Sequence, residues 1–312
     1  MHTRREFLAR ASAVAAAAAS LGATVGGQAA ADAAGGPPQL FHVGYQIFSW
    51  GRYFPSAWWE AARECAAIGF PGIEGENTIA NLYAGREPEF SARMRQQPER
   101  LAAIYSTTDL DISSQFYVNR YKNLLAAKFA QPQGTKVLVI GGTEAQERTP
   151  AHFVEYARQA NAIGKEVLET TGLQVGVHPH LGSLVQHRDD IRRVMDTTDP
   201  RYFNLCPDVG HLAGGGMDPT EIVKTYASRV IHLHLKDWKR PVPGQLSGFA
   251  ELGTGEVDFP ALVRELKTIG FHGWADVELD GAIDPAASAR RNMAYLTKVL
   301  HLRVGNMTDA TQ

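Results

Sequence analysis

Cysteine is scarce in this 312-residue chain, which contains only Cys65 and Cys206. Two cysteines cannot form a disulfide framework of the kind that holds small secreted scaffolds together. The fold must therefore rest on a hydrophobic core, and the apolar content of 44% is ordinary for a globular protein. We expect both cysteines to be buried free thiols.

An excess of charge of one sign is also missing. The chain has 31 Lys and Arg against 33 Asp and Glu, which gives a net charge of -2. This balance argues against nucleic acid or an anionic membrane surface as a partner. Beyond the N-terminal region there is no run of 18 apolar residues, so we expect no stable membrane insertion.

The N-terminal region has the features of a signal rather than of a fold. Arg4 and Arg5 stand in TRREFLAR, an Ala-rich stretch follows over 11–25, and small residues lie at 29–31. This pattern resembles a twin-arginine export signal over residues 1–31 and predicts a periplasmic protein that meets the export machinery already folded. A single membrane anchor is the alternative, but the stretch is short and weakly apolar. Residues 32–40 are predicted to be a linker, 41–303 the folded domain and 304–312 a tail.

Strand-like runs alternate with helix-period segments along the rest of the chain. The runs lie at 43–48, 72–76, 102–106, 136–142, 173–178, 202–208, 230–236 and 274–280. Alternation of this kind predicts a parallel sheet with helices outside it. Eight units in one domain predict a single (β/α)8 TIM barrel. The rival doubly wound sheet is weakened because no Gly-rich dinucleotide fingerprint follows the first strand.

Chemistry in such a barrel lies at the C-terminal ends of the strands. The polar residues there are Glu74 and Glu76, His178 and His180, Asp208 and His211, His232, His234, Lys236 and Asp237, and Glu278 and Asp280. A mixture of imidazoles and carboxylates suits one divalent metal ion, and Mn, Co, Mg, Fe and Zn all fit.

Simpler interpretations exist for several of these residues. Asp208 is also a natural helix cap, and Glu278 could pair with a Lys or Arg of the barrel. His232 and His234 share a strand face and both are expected to point inward, with His234 nearer the mouth and the better ligand. Glu76 and Asp280 are interpreted as structural.

Four segments carry a family likeness: PDVGHL, HLHLKD, ELGTGEVDF and GFHGWADVEL. With them the chain resembles the xylose isomerase-like TIM barrels, in the group of sugar phosphate isomerases/epimerases and inosose dehydratases. The resemblance implies one divalent metal held by Glu, Asp, His and Glu. Asp208, His234 and Glu278 match the last three ligands. His178 occupies the first-ligand position, because HPH stands where the family often has Glu-Asn-His.

The resemblance also implies the reaction, a proton abstraction beside a carbonyl through a metal-stabilised enediolate. Glu278, His180 or His211 would act as the base, and Lys236 would stabilise the oxyanion. Glu74 would hold a substrate hydroxyl or orient an imidazole ligand. The aromatic residues Trp50, Phe116 and Trp238 would wall the sugar site, with ordinary packing as their alternative role.

Several functions follow from this resemblance. The first is a metal-dependent isomerase or epimerase acting on a small sugar or polyol. Since His178 replaces a carboxylate, an inosose dehydratase-like or keto-glycoside lyase reaction with a single base is the alternative. A non-catalytic exported sugar-binding protein and a metal-dependent endonuclease are further alternatives, the latter disfavoured by the near-neutral charge. Related barrels imply a homo-oligomer.

Overall fold

The computed structural model describes residues 39–53, 57–145, 147–240 and 248–305. The predicted export signal, most of the linker and residues 306–312 lie outside these ranges. Gln39, which the sequence analysis assigns to the linker, is hydrogen-bonded to Arg303 at the C-terminal end of the domain. Its side chain donates to the carbonyl of Arg303 (3.1 Å) and accepts from the Arg303 amide (3.0 Å).

Eight parallel strands form one sheet, as the sequence predicts. They are β1 (His42–Gln46), β2 (Gly72–Glu76), β3 (Arg100–Thr107), β4 (Val137–Gly141), β5 (Gln174–His178), β6 (Asn204–Leu205), β7 (His232–Leu235) and β10 (Trp274–Val277). Their order is β6-β5-β4-β3-β2-β1-β10-β7. Parallel bridges between Leu205 and Val230 and between Asp208 and His234 join β6 to β7 and complete the barrel. The antiparallel pair β8 (Asp237–Trp238) and β9 (Phe249–Ala250) lies between β7 and β10 in the chain.

Strand β6 is shorter than the predicted 202–208. Pro207 has no amide hydrogen to donate to a ladder, and Asp208 already serves as the N-cap of the next helix. The chain therefore leaves the sheet early. It still remains beside β7, because the Pro207 carbonyl accepts from the His234 amide at 2.9 Å.

The helices alternate with the strands. They are α1 (Trp58–Ile68), α2 (Thr78–Leu82), α3 (Glu87–Met94), α4 (Phe116–Ala130), α5 (Pro150–Thr171), α6 (Arg188–Thr197), α7 (Val209–Gly214), α8 (Pro219–Thr225), α9 (Phe259–Thr268) and α10 (Pro285–Lys298). Their buried faces pack on the sheet; in α9, Phe259, Leu262, Val263 and Leu266 are all buried. In the sequence, apolar residues at 259, 262, 263, 266 and 269 predict one buried helix face, and the structure confirms it at the first four positions.

Two helix expectations need correction. The segment PEFSARMRQQPERL (88–101) has helical periodicity and predicts one helix. The structure is helical only to Met94, because Arg100 and Leu101 already pair in β3. Helix α10 was not expected, although Asp284 caps it and Pro285 occupies its first position. Both are ordinary start signals for a helix.

The two thiols behave as expected. Cys65 and Cys206 are free and buried, and burial raises the pKa of each well above its usual value. Among the described residues, no helix is long and apolar enough to cross a membrane.

A substitution at Gly164 tests how closely α5 packs against the main chain at Tyr202. A Cβ at Gly164 would lie 2.1 Å from the carbonyl oxygen of Tyr202. Alanine is the better helix former by about 1 kcal/mol, but here main chain would have to move. We expect Gly164→Ala to lower the free energy of unfolding by about 1–3 kcal/mol in denaturant titrations. The control Ala162→Gly, exposed on the same helix, should cost only about 1 kcal/mol; a more stable Gly164→Ala variant would contradict this packing.

Candidate metal centre

A single carboxylate oxygen holds two imidazoles inside the barrel. Oε2 of Glu74 accepts from Nε2 of His232 at 2.9 Å and from Nε2 of His234 at 2.7 Å. All three side chains are buried. The inward orientation of both histidines is thus confirmed, and Glu74 is positioned to orient them.

The charges in this group reinforce one another. Burial alone would raise the pKa of Glu74, but the two imidazoles outweigh it and the pKa lies at about 2. Burial lowers the pKa of His234, but the charges of Glu74 and Glu278 raise it well above its usual range. Since Nε2 of His234 donates to Glu74, Nδ1 is the nitrogen that faces the barrel mouth. A bound cation would replace the proton on Nδ1.

Asp208 has two roles, one for each oxygen. Oδ1 accepts from the His211 amide at 2.9 Å and so caps α7. Oδ2 points into the barrel, 3.8 Å from Nδ1 of His234 and 4.0 Å from Nε2 of His178. The cap and ligand interpretations of this residue are therefore compatible, because the cap holds the second oxygen in place.

The donor atoms fit a single divalent metal ion. His178, Asp208 and His234 each bring one ligand atom within a span of 4.8 Å, and Oε2 of Glu278 lies 2.7 Å from Nδ1 of His234. Asp208 Oδ2, His234 Nδ1 and Glu278 Oε2 are all buried, and they face one another and the Lys236 ammonium. Two donors bound to one ion at the tetrahedral angle lie about 3.4 Å apart; Asp208 Oδ2 lies 3.8 Å from His234 and 4.0 Å from His178, whereas His234 and Glu278 are at a hydrogen-bond distance of 2.7 Å. Two carboxylates and two imidazoles are a ligand mixture that a divalent metal ion takes.

His178 has the protonation state that a ligand requires. Burial lowers its pKa well below the usual value, and the neighbouring histidines and Lys236 lower it further. The imidazole is therefore neutral near pH 7, as metal binding demands. His178 is 2% exposed.

Lys236 is a buried cation held by three carboxylates. Its Nζ lies 2.9 Å from Asp280, 3.1 Å from Asp208 and 3.2 Å from Glu278. Burial lowers its pKa, but these carboxylates outweigh burial and raise it. Lys236 thus keeps its positive charge beside the donor atoms.

The rings of His180 and His211 lie against each other at the mouth, with centroids 3.8 Å apart and planes tilted by 37°. His180 donates from Nδ1 to the Leu181 carbonyl at 2.7 Å, which leaves Nε2 as the basic nitrogen. Both ring nitrogens of His211 are engaged: Nδ1 accepts from the Leu181 amide at 3.1 Å, and Nε2 lies 3.4 Å from the Lys236 ammonium. Of the two, His180 is the one equipped to accept a proton.

Several residues of this region were interpreted differently or missed. Asp280, interpreted as structural, pairs with Lys236. Burial, then the charges of Glu278 and Glu74, raise the pKa of Glu76 to about 7. Tyr105, not singled out in the sequence, has its ring 5.3 Å from that of His178 and 6.2 Å from that of His234. Asp276 lies 3.4 Å from His232; its position in the sequence two residues before Glu278 was a signal for it.

The predicted aromatic wall is only partly present. Trp238 stacks edge-on against Phe249, which itself lies over Lys236 at 4.7 Å. The structure does not bring the other two residues to this cluster. Trp50 donates to Glu64 at 2.6 Å and packs edge-on against Tyr45 of β1, and Phe116 packs under the guanidinium of Arg158. Phe249 is the aromatic that the sequence analysis missed.

The fold and these residues belong to a known family. Residues 62–299 match the family model of the xylose isomerase-like TIM barrel, and the chain belongs to that family. An inosose dehydratase of Geobacillus kaustophilus is 30% identical over 76% of this chain and 86% of its own. An inosose dehydratase of Clostridium botulinum is 26% identical over 71% of this chain and 81% of its own. This is a superfamily of isomerases, epimerases and dehydratases.

Solved structures share the fold at low identity. A probable 3-DHS dehydratase from Bacillus anthracis has a TM-score of 0.70 at 16% identity, over 82% of this chain and 98% of that chain. A 3-keto-D-glucoside 4-epimerase from E. coli has a TM-score of 0.67 at 18% identity, over 83% of this chain and 99% of that chain. A protein described as IOLI, solved with a bound zinc atom, has a TM-score of 0.68 at 14% identity, over 83% of this chain and 98% of that chain.

Glu74 allows a direct test of how the centre is organised. Because its oxygen fixes both imidazoles, we expect Glu74→Gln to weaken binding of Mn²⁺ or Zn²⁺ by about 10–100-fold in calorimetric titrations. The control Glu76→Gln changes the same residue type two positions further along the same strand face and should leave metal affinity nearly unchanged. Equal losses in the two variants would contradict the orienting role of Glu74.

Proposed function

We propose that this protein is a divalent-metal-dependent dehydratase of a keto-polyol or keto-sugar of the inosose type. It would remove the proton from the carbon beside the carbonyl and expel the hydroxyl of the next carbon as water. The observation that carries the proposal is the convergence of His178, Asp208, His234 and Glu278 beside one basic nitrogen, that of His180. The relatives named inosose dehydratase support elimination over isomerisation, which the sequence analysis placed first.

Four side chains would hold the cation: His178, Asp208, His234 and Glu278. The ion would supply Lewis acidity that stabilises negative charge on the substrate carbonyl oxygen. Lys236 adds a fixed positive charge next to the same region, because Asp280 keeps it in place at 2.9 Å.

His180 serves as the single base of this scheme. Its Nε2 takes the α-proton, and the electron pair of that C–H bond forms the new carbon–carbon double bond while the β C–O bond breaks. The same imidazolium then gives its proton to the departing hydroxyl, which leaves as water. His180 lies at the mouth with its tautomer set by the Leu181 carbonyl, and a positioned base contributes about 10²–10⁴-fold to the rate.

Isomerisation or epimerisation is the second candidate, and Glu76 favours it. This carboxyl ends β2 and shares the inward strand face with Glu74. With a pKa of about 7 it is present in both protonation forms near neutral pH. It would thus provide a second acid–base group on a different side of the centre from His180, as proton transfer at two faces requires. The sugar-binding alternative leaves the buried donor cluster without a use.

The reaction can be followed in deuterated water. We expect the Mn²⁺-loaded protein to convert 2-keto-myo-inositol, or a member of a keto-glucoside panel, to a product that has lost one water, detected by NMR. Deuterium at the α-carbon with every oxygen retained would instead assign isomerisation or epimerisation. No exchange and no elimination with any substrate, metal being bound, would contradict enzymatic enolisation and favour the sugar-binding alternative.

Two histidine variants separate base from ligand. His180→Gln should lower kcat by about 10²–10⁴-fold while the protein still binds one Mn²⁺, because His180 is outside the donor set. His178→Gln should lose more than about tenfold in metal affinity. The assignment is wrong if His180→Gln loses the metal and His178→Gln retains it.

A further inference from the structure

Tyr105 of β3 faces the barrel interior. Its backbone is in register with Glu76 of β2 and with Val139 of β4, and its side chain packs against an apolar cluster that includes Val139 and Cys206. Paired residues of neighbouring parallel strands point to the same side of a sheet, so Tyr105 shares the inward face of Glu76. A phenol hydroxyl therefore lies inside the barrel, and the mechanism proposed above gives it no role.

The Tyr105 ring contacts two of the proposed ligands. Its centroid is 5.3 Å from that of His178, edge-on at 85°, and 6.2 Å from that of His234, with planes 29° apart. Strands β3 and β7 are four steps apart in either direction around the closed ring of eight. The tyrosine thus approaches the donor atoms from the side opposite to β7, whose Lys236 is held by Asp280 at 2.9 Å. The donor set has a hydroxyl on one side and an ammonium on the other.

Gly141, the last residue of β4, makes room for the phenol. A Cβ at Gly141 would overlap the Tyr105 hydroxyl oxygen and lie 2.5 Å from the ring carbon that bears it. Any other residue at this position would therefore displace the tyrosine. Gly141 is in register with His178 of β5, so the hydroxyl is level with the end of β5, at the barrel mouth where chemistry lies in this fold.

The hydroxyl is a donor that remains accessible from the mouth. Tyr105 is partly exposed, whereas its chain neighbours Ile104 and Ser106 are 0% exposed. A tyrosine is ordinarily protonated near pH 7. Burial of most of the side chain raises the pKa of Tyr105 further, and so do the charges of nearby carboxylates, with Glu278 first among them. The group therefore offers an O–H to a ligand rather than a base.

We propose that Tyr105 is a catalytic residue of this centre, whose hydroxyl donates a hydrogen bond to the substrate oxygen that becomes negatively charged when the α-proton leaves. The inference rests on the proposed function, because it assigns a role within the same reaction. Lys236 and Tyr105 meet the developing charge from opposite sides. Donors held in place beforehand are effective because they need not reorganise as the charge forms. The phenol keeps its proton throughout, so His180 remains the base.

Acetohydroxamate allows a test that needs no turnover, because it is a planar anion with two adjacent oxygens, as an enediolate is. The variant Tyr105→Phe keeps the ring and removes only the hydroxyl. In calorimetric titrations of the Mn²⁺-loaded full-length protein, we expect it to bind acetohydroxamate about tenfold more weakly than the wild type, because one hydrogen bond to a charged oxygen is lost. With 2-keto-myo-inositol, kcat should fall by about 10²–10³-fold, with little change in KM or in Mn²⁺ affinity.

The matched control is Tyr45→Phe, which removes the same hydroxyl from another strand of the barrel. Tyr45 of β1 is 0% exposed, and its ring centroid is 5.0 Å from that of Phe70 in the core. This variant should keep the wild-type kcat and acetohydroxamate affinity. Wild-type values in Tyr105→Phe, or equal losses in the two variants, would overturn the assignment. Loss of Mn²⁺ from Tyr105→Phe would also overturn it, because the tyrosine would then support the ligands rather than the substrate.

Failure of this inference is distinguishable from failure of the proposed function. Weaker acetohydroxamate binding by Tyr105→Phe, in a protein that eliminates water from no keto-polyol, retains the hydroxyl as an oxyanion donor and rejects the dehydratase. Elimination by Tyr105→Phe at the wild-type rate rejects the donor and retains the dehydratase. No acetohydroxamate binding by the Mn²⁺-loaded wild type rejects the donor whatever the reaction.

Discussion

The site depends on one buried carboxylate oxygen. Oε2 of Glu74 binds His232 and His234 together, at 2.9 and 2.7 Å. That pairing fixes which nitrogen of His234 faces the mouth, and Nδ1 then meets the carboxylates of Asp208 and Glu278. An unpaired charge at this depth would be strongly unfavourable, so Glu74 and its two imidazoles stabilise one another. The proposed metal ligands are thus arranged around a pairing that is itself buried from solvent.

The site also depends on closure of the barrel between β6 and β7. β6 is only two residues long, and closure there relies on bridges from Leu205 and Asp208 to the β7 side. The bridge between Asp208 and His234 joins two of the proposed ligands through their backbones. The contact that closes the barrel therefore also brings these two residues together.

Much of this arrangement could be predicted from the sequence, because it follows from the hydrophobic periodicity and from the order of strands and helices along the chain. The eight strands follow from the alternation of short β-rich runs and amphipathic segments, and the donor residues follow from where those runs end. Contacts across the barrel could not be predicted in the same way. Tyr105 and Phe249 lie next to the centre through pairings between distant segments, and local pattern does not encode such pairings. The hydrogen bond from Trp50 to Glu64 could not be predicted either. Residue type alone suggested that Trp50 belongs to a sugar-binding wall.

The central claim is that His178, Asp208, His234 and Glu278 form one metal centre. The most direct measurement is a crystal structure of the Mn²⁺-soaked protein with anomalous diffraction data collected at the manganese edge. We predict one strong anomalous peak within bonding distance of His178 Nε2, Asp208 Oδ2, His234 Nδ1 and Glu278 Oε2, with Glu74 still bound to both imidazoles. A peak coordinated by Glu74 and His232 instead, or no peak at saturating manganese, would contradict the account.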